Sequence, residues 1–142
     1  MAVRAALLLA LRVTTGALLV VWGTLKVMEP GYAARVSDAF YGGLLSGRAL
    51  QAPLGWAEIA LGALVILGLF RRIVYPLQAL VLCAGALAVW KYILDPLGAW
   101  LLTPETRQYL FFPSSTLAVA SLILVFFMEF DRLALDRALR RR

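Results

Sequence analysis

Four long apolar runs, each closed by residues that stop a helix, constrain this chain more than any other feature. The first extends from about Ala5 to Val27 and ends at Glu29-Pro30-Gly31. The second follows Pro53, from Leu54 to Phe70, and stops at Arg71-Arg72. The third spans Ile73 to Leu94 and closes at Asp95-Pro96, with Pro76 read into its first turn, where a missing N–H costs little. The fourth covers about 111–130; it can start as early as Tyr109, with Pro113 as a kink or a first-turn residue. The runs are rich in Leu and Ala and lack the period-two alternation of strands. With 63% hydrophobic and 15% charged residues, the balance is that of a membrane protein.

Amides in lipid must be satisfied within their own segment, so apolar runs of this length become helices. The expectation is one all-α domain over 1–142, an integral membrane four-helix bundle. Its helices fall at about 5–27, 54–70, 73–94 and 111–130, followed by a basic tail, 131–142. Before Arg12 the first run is too short for a signal-peptide core and no small-residue cleavage site follows, so it reads as a retained helix. Gly16, Gly23, Gly62, Gly68, Ala84, Gly85 and Ala88 would let helices approach closely.

Two connections lie on the side away from the termini, with room in both for short interfacial helices. In 29–52, the spacing of Val36, Ala39, Phe40 and Leu44 suits an amphipathic helix on the membrane. In 95–113, Leu97, Trp100, Leu101 and Leu102 suit a segment resting on its surface.

The net charge of +6 follows this topology. Four crossings put Arg4, Arg12, Arg71, Arg72, Arg132, Arg137, Arg140, Arg141 and Arg142 on the termini side. Lys26, Arg35, Arg48, Lys91 and Arg107 fall on the other, offset by Glu29, Asp38, Glu58, Asp95 and Glu105. The positive-inside rule then places both termini in the cytoplasm. The charge is a matter of topology and lipid contact, not of nucleic acid; the basic tail suits anionic lipid.

The chain has no histidine and a single cysteine, Cys83, within an apolar run. Haem, zinc and copper therefore lack their usual ligands, and no metal site is expected. A disulfide within the chain and CxxC redox chemistry are excluded.

Ionisable residues inside the apolar runs cost at least ~2.5–3.5 kcal/mol to insert, so each needs a reason. Glu58 precedes Arg71 by 13 residues, or roughly 20 Å of helix, which leaves it below the outer surface of a ~30 Å hydrocarbon core. Lys26 and Lys91 arrive at similar height. Trp22 accompanies Lys26, Trp56 accompanies Glu58, and Trp90 and Tyr92 flank Lys91. An aromatic belt with outward-reaching lysines needs no function; Glu58 instead suits an ion pair with either lysine, or a functional carboxylate. Arg12, eight residues beyond Arg4, is expected to snorkel to the cytoplasmic interface; the alternative is a planar bond inside the bundle. Gln78 is expected to bond a neighbouring helix.

Two stretches resemble the DoxX-like family of small four-helix membrane proteins, with its DoxD- and MauE-type relatives. One runs from Arg12-Val-Thr-Thr-Gly16 through Trp22-Gly23-Thr-Leu-Lys26. The other runs from Glu58-Ile-Ala-Leu-Gly62 through Leu67-Gly68-Leu-Phe-Arg71. Together they span about the first half of the chain; the long 95–113 connection departs from the family pattern. The resemblance implies a four-helix bundle associated with respiratory or redox proteins, and it singles out Arg12, Lys26 and Glu58.

The resulting expectation is an accessory subunit of a bacterial inner-membrane redox or respiratory assembly, without catalytic activity of its own. Its partners would be lipid and other membrane subunits, or further copies of itself. A second reading is a quinone- or lipid-binding oxidoreductase subunit that uses Lys26, Glu58 and Lys91 with Trp22, Trp56 and Trp90; quinone is the only cofactor in view. A small oligomeric transporter is the third.

Overall fold

The computed structural model describes residues 2–43 and 45–139; its regular structure is all helical, with no strand among the described residues. Seven α-helices follow one another: α1 (Ala2–Met28), α2 (Pro30–Phe40), α3 (Arg48–Leu67), α4 (Arg71–Ala88), α5 (Trp90–Leu94), α6 (Pro113–Phe126) and α7 (Leu135–Leu139). Single 3-10 turns at Tyr109–Phe111 and Met128–Phe130 flank α6. Four helices are long and apolar enough to cross a membrane: α1, α3, α4 and the segment Tyr109–Phe126. That is the pattern of a multi-pass membrane protein.

Element boundaries differ from the sequence expectation where local chemistry overrides the apolar pattern. The second span starts at Arg48 and carries Pro53 inside it rather than before it. Pro76 sits beyond the first turn of α4, inside the helix. The third apolar run is divided at the buried Val89, so that α5 is a separate turn. A helix does form in the first connection, over Pro30–Phe40, with Pro30 opening it where no N–H is needed. Leu44 lies outside the described residues, as do Arg140, Arg141 and Arg142.

The long helices associate as two antiparallel pairs, α1 with α3 and α4 with α6. In the first pair the backbones touch at two places, Gly16 on Gly62 and Gly23 on Gly55. The other small residues do not serve this purpose. Ala84 and Ala88 are exposed, and a Cβ added at Gly85 would meet nothing within 4 Å. Gly68 is instead the left-handed C-cap of α3, with φ 68°; its N–H reaches Leu64 O and Val65 O, and Leu69 N–H also reaches Leu64 O. Leu8, Leu19, Leu61, Val65, Val74, Tyr75, Leu82 and Leu124 join the two pairs in one core.

The connection after α5 is organised by a single carboxylate. Asp95 is buried and accepts hydrogen bonds from the N–H groups of Ala99, Trp100, Leu101 and Leu102 at 2.7–2.9 Å. Burial alone would raise the Asp95 pKa. The four backbone donors outweigh it and hold the carboxyl well below the ordinary aspartate value.

Candidate functional site

The charged residues gather at the two ends of the helix pairs. At the end that carries the termini, the segment after α6 folds back over the turn between α3 and α4. Arg12 is the centre of this end. Its Nη1 donates to both Asp131 carboxylate oxygens, at 3.1 and 3.4 Å, and its Nη2 donates to Leu133 O at 3.3 Å. The side chains of Arg12 and Asp131 are only 3% and 1% exposed. Tyr75 Oη donates to the same carboxylate at 2.5 Å, so one buried acid serves two donors from different helices.

A second acid closes the turn beside it. Asp136 accepts from Phe70 N at 3.1 Å and Arg71 N at 3.0 Å, and its own N–H donates to Gly68 O. This fixes Phe70, a bulky residue with φ 50°, at the start of α4. Arg71 crosses in the other direction; its Nη1 donates to Met128 O and Asp131 O at 3.1 and 2.9 Å. Arg12, Arg71, Asp131 and Asp136 thus lock the tail to α1, to α4 and to the turn between α3 and α4.

Arg12 therefore does not snorkel: its guanidinium turns inward to an acid. Hydropathy had placed Asp131 in the tail and gave no reason to single it out. The only available signal was its side: it closes the fourth apolar run at the same end of the bundle as Arg12. Tyr75 and Asp136 carried no signal, because a tyrosine in an apolar run reads as packing and an acid in a basic tail as solubility. Gln78 also departs from expectation, being fully buried with neither amide atom partnered.

At the opposite end, Lys26 Nζ and Glu58 form an ion pair through one glutamate oxygen, Oε1. The second oxygen, Oε2, is buried without a partner. Tyr41 stands near enough for the Glu58 charge, added to burial, to raise its phenol pKa. Tyr41, Trp22, Leu82, Gly85, Ala86, Ser114 and Leu117 enclose a narrow crevice with room for about one water molecule. Tyr41 also meets Phe111 edge-on, and Phe111, Phe40 and Tyr92 pack tilted or edge-on among themselves, with ring centroids 4.9–6.3 Å apart.

The single cluster expected of Lys26, Glu58, Lys91, Trp22, Trp56 and Trp90 does not form. Lys26 and Glu58 meet, and Trp22 lines the crevice. Lys91 is exposed with its Nζ 5.8 Å from the ring centroid of its neighbour Trp90, while Trp56 and Trp90 are themselves exposed. Register explains this: Lys91 lies beyond the break at Val89, which ends the helix before that face can turn toward Glu58. Among the described residues no group of three or more acidic, Cys or His side chains is gathered as for a metal.

The ion pair makes a direct prediction. Glu58→Gln should destabilise the protein, because it leaves Lys26 uncompensated. The loss should fall near the lower end of the roughly 3–5 kcal/mol that breaking a buried pair costs, since Lys26 and Glu58 side chains remain 25% and 17% exposed. Lys26→Met in the same chain should restore much of it, whereas Lys91→Met should restore none. Thermal unfolding in detergent, read as a double-mutant cycle, measures both; equal rescue by the two lysine variants would exclude the pair.

No protein family, curated protein or solved structure matches the chain.

Proposed function

We propose that this chain is an accessory subunit of a bacterial inner-membrane redox or respiratory assembly, in the manner of the DoxX-like proteins it resembles. One observation carries this reading: the buried ionisable side chains are engaged within the protein itself, in joining helices or in folding a connection. Arg12 is closed on Asp131, Asp131 on Tyr75, Lys26 on Glu58 and Asp95 on backbone amides. A chain whose buried charges serve its own architecture is suited to hold a partner in place. The broad apolar faces of its long helices are the surfaces it offers.

Purification in mild detergent tests this. A stoichiometric redox or respiratory membrane complex should co-purify, and its assembly should fail when the chain is deleted. A chain that purifies alone, with that complex intact in the deletion strain, is the contrary result.

The second reading, a quinone- or lipid-binding subunit, is favoured by one atom. Glu58 Oε2 is a buried acceptor without a donor, and the Glu58 charge acts on Tyr41, which lines the Trp22 crevice. A quinol hydroxyl is the kind of donor it lacks. Stoichiometric quinone in the isolated protein, lost in Glu58→Gln, would move this reading ahead of the first.

In this proposal both termini and the Arg71-Arg72 turn face the cytoplasm, because the cation excess lies there. With Cys83 replaced, a cysteine introduced at Ser46 should react with a membrane-impermeant thiol reagent in intact cells. One introduced at Leu139 should not react until the cells are opened. The reverse pattern would invert the orientation.

A further inference from the structure

The connection after α5 combines two properties that belong together only in an apolar medium. Its backbone N–H groups at 99–102 are all bonded to the buried Asp95 carboxylate, so four donors that a surface loop would leave to water are satisfied internally. Its side chains point the other way: Leu97 is 69% exposed and Trp100 68%, with Leu101 also exposed. Between Pro96 and Pro104 there is no charged residue. Leu94 before the loop and Leu110 and Phe112 after it are exposed apolar residues too, the last two at the start of the candidate membrane span Tyr109–Phe126.

Non-helical backbone enters lipid only where its polar groups are satisfied by the protein, and tryptophan is favoured at the headgroup boundary. We propose that Asp95 folds residues 96–102 into an interfacial finger that inserts Leu97, Trp100 and Leu101 into the leaflet on the side away from the termini. Lipid is the occupant because the finger exposes apolar side chains while its amides are satisfied internally, and a candidate membrane span, Tyr109–Phe126, begins a few residues after it. The charges resume at the exposed Glu105 and Arg107, and Arg107 Nη1 donates back to Leu97 O at 3.3 Å, so this cation stands at the rim of the finger, at headgroup level. Asp95 is a positioning residue here: it holds the amides and touches no lipid itself. This inference rests on the four helices crossing a bilayer, but not on the accessory-subunit reading.

The experiment uses the full chain in vesicles of phosphatidylethanolamine and phosphatidylglycerol, with and without brominated acyl chains. Trp22, Trp56 and Trp90 are replaced by Phe, leaving Trp100 as the only tryptophan. Its emission should be lost in large part to the brominated lipid and be nearly insensitive to aqueous iodide. Asp95→Asn, added to this variant, should reverse that order by releasing the amides to water.

Quenching of Trp100 by iodide and not by brominated lipid would overturn the proposal. Protection from both quenchers would also overturn it, since it would mean that a protein surface, such as a second copy, covers the finger. A parallel variant retaining only Trp56, which is 62% exposed on α3, reports on the crossing itself. If brominated lipid fails to quench Trp56, it is the membrane-spanning reading that fails.

Discussion

Arg12→Lys is expected to unfold well below the wild-type temperature in detergent, despite keeping its positive charge. The guanidinium serves two directions at once: Nη1 lies across both oxygens of Asp131 while Nη2 reaches Leu133 O. A lysine ammonium is one point, and it cannot stand at the carboxylate and at the carbonyl together. Asp131→Ala should cost more, about 3–5 kcal/mol, because it strands a guanidinium that is almost wholly buried and also leaves Tyr75 Oη without its acceptor. Replacing both partners by apolar residues, Arg12→Met with Asp131→Leu, should cost much less than the two single changes summed. Tyr75→Phe is the mild member of the series, removing one donor while the ion pair stays. A lysine variant that unfolds at the wild-type temperature would show that the charge alone matters and that Arg12 is free to reach outward.

That series turns on residues of which the sequence discloses only half. Arg12 stands out because a charge inside an apolar run demands an explanation, and hydropathy alone offers snorkelling. The actual explanation needs a partner 119 residues away. Nothing in local spacing connects Arg12 to Asp131; only the docking of α6 and its following turn does. Lys26 and Glu58 are different. Both lie in runs whose lengths set their heights, so depth arithmetic alone brings them to one level. The same arithmetic brought Lys91 to that level and failed on direction, because it counts rise along a helix and is blind to the break at Val89.

The four long helices follow from apolar length with little ambiguity, since lipid leaves the backbone few alternatives. Their ends are less legible. Pro53 and Pro76 look like starts in the sequence, yet each lies inside a helix. A proline near the beginning of a helix forfeits a hydrogen bond that matters less there than in the middle, so the helix can extend backward past it. The Asp95 finger is legible only in part: Leu97, Trp100, Leu101 and Leu102 suggest a surface segment, but four amides converging on one carboxylate belong to tertiary geometry.

Gly23→Val, which sets three carbons against an opposing backbone, is expected to be among the most disruptive glycine substitutions in the chain, and Gly85→Ala, which adds one methyl in open space, among the most harmless. The contrast rests on where the two glycines face. On α1 and α3, Gly16 and Gly23 oppose Gly62 and Gly55, two turns apart on each helix, so the backbones meet along a continuous line. A Cβ at Gly55 would lie 2.5 Å from Gly23 O, and one at Gly62 would lie 2.5 Å from Gly16 O. Those neighbours are carbonyls of an opposing helix, and they move only if the helix moves. Overpacking a core typically costs about 1–3 kcal/mol where side chains can yield; here they cannot, and the loss should reach or exceed the top of that range.

Separation would spread to the ion pair as well. Lys26 Cβ lies 3.0 Å from the same added atom at Gly55, so parting α1 from α3 there pulls Lys26 away from Glu58. Gly23→Val and Glu58→Gln should therefore be less than additive, since the first already weakens what the second removes. At Gly85 no atom stands within 4 Å of an added Cβ. Alanine there has space, and it gains up to about 1 kcal/mol in intrinsic helix propensity over glycine. Unfolding in detergent of Gly23→Val, Gly85→Ala and the Gly23→Val/Glu58→Gln double variant decides the matter. Gly23→Val at wild-type stability would mean that α1 and α3 do not approach as closely as their glycines imply.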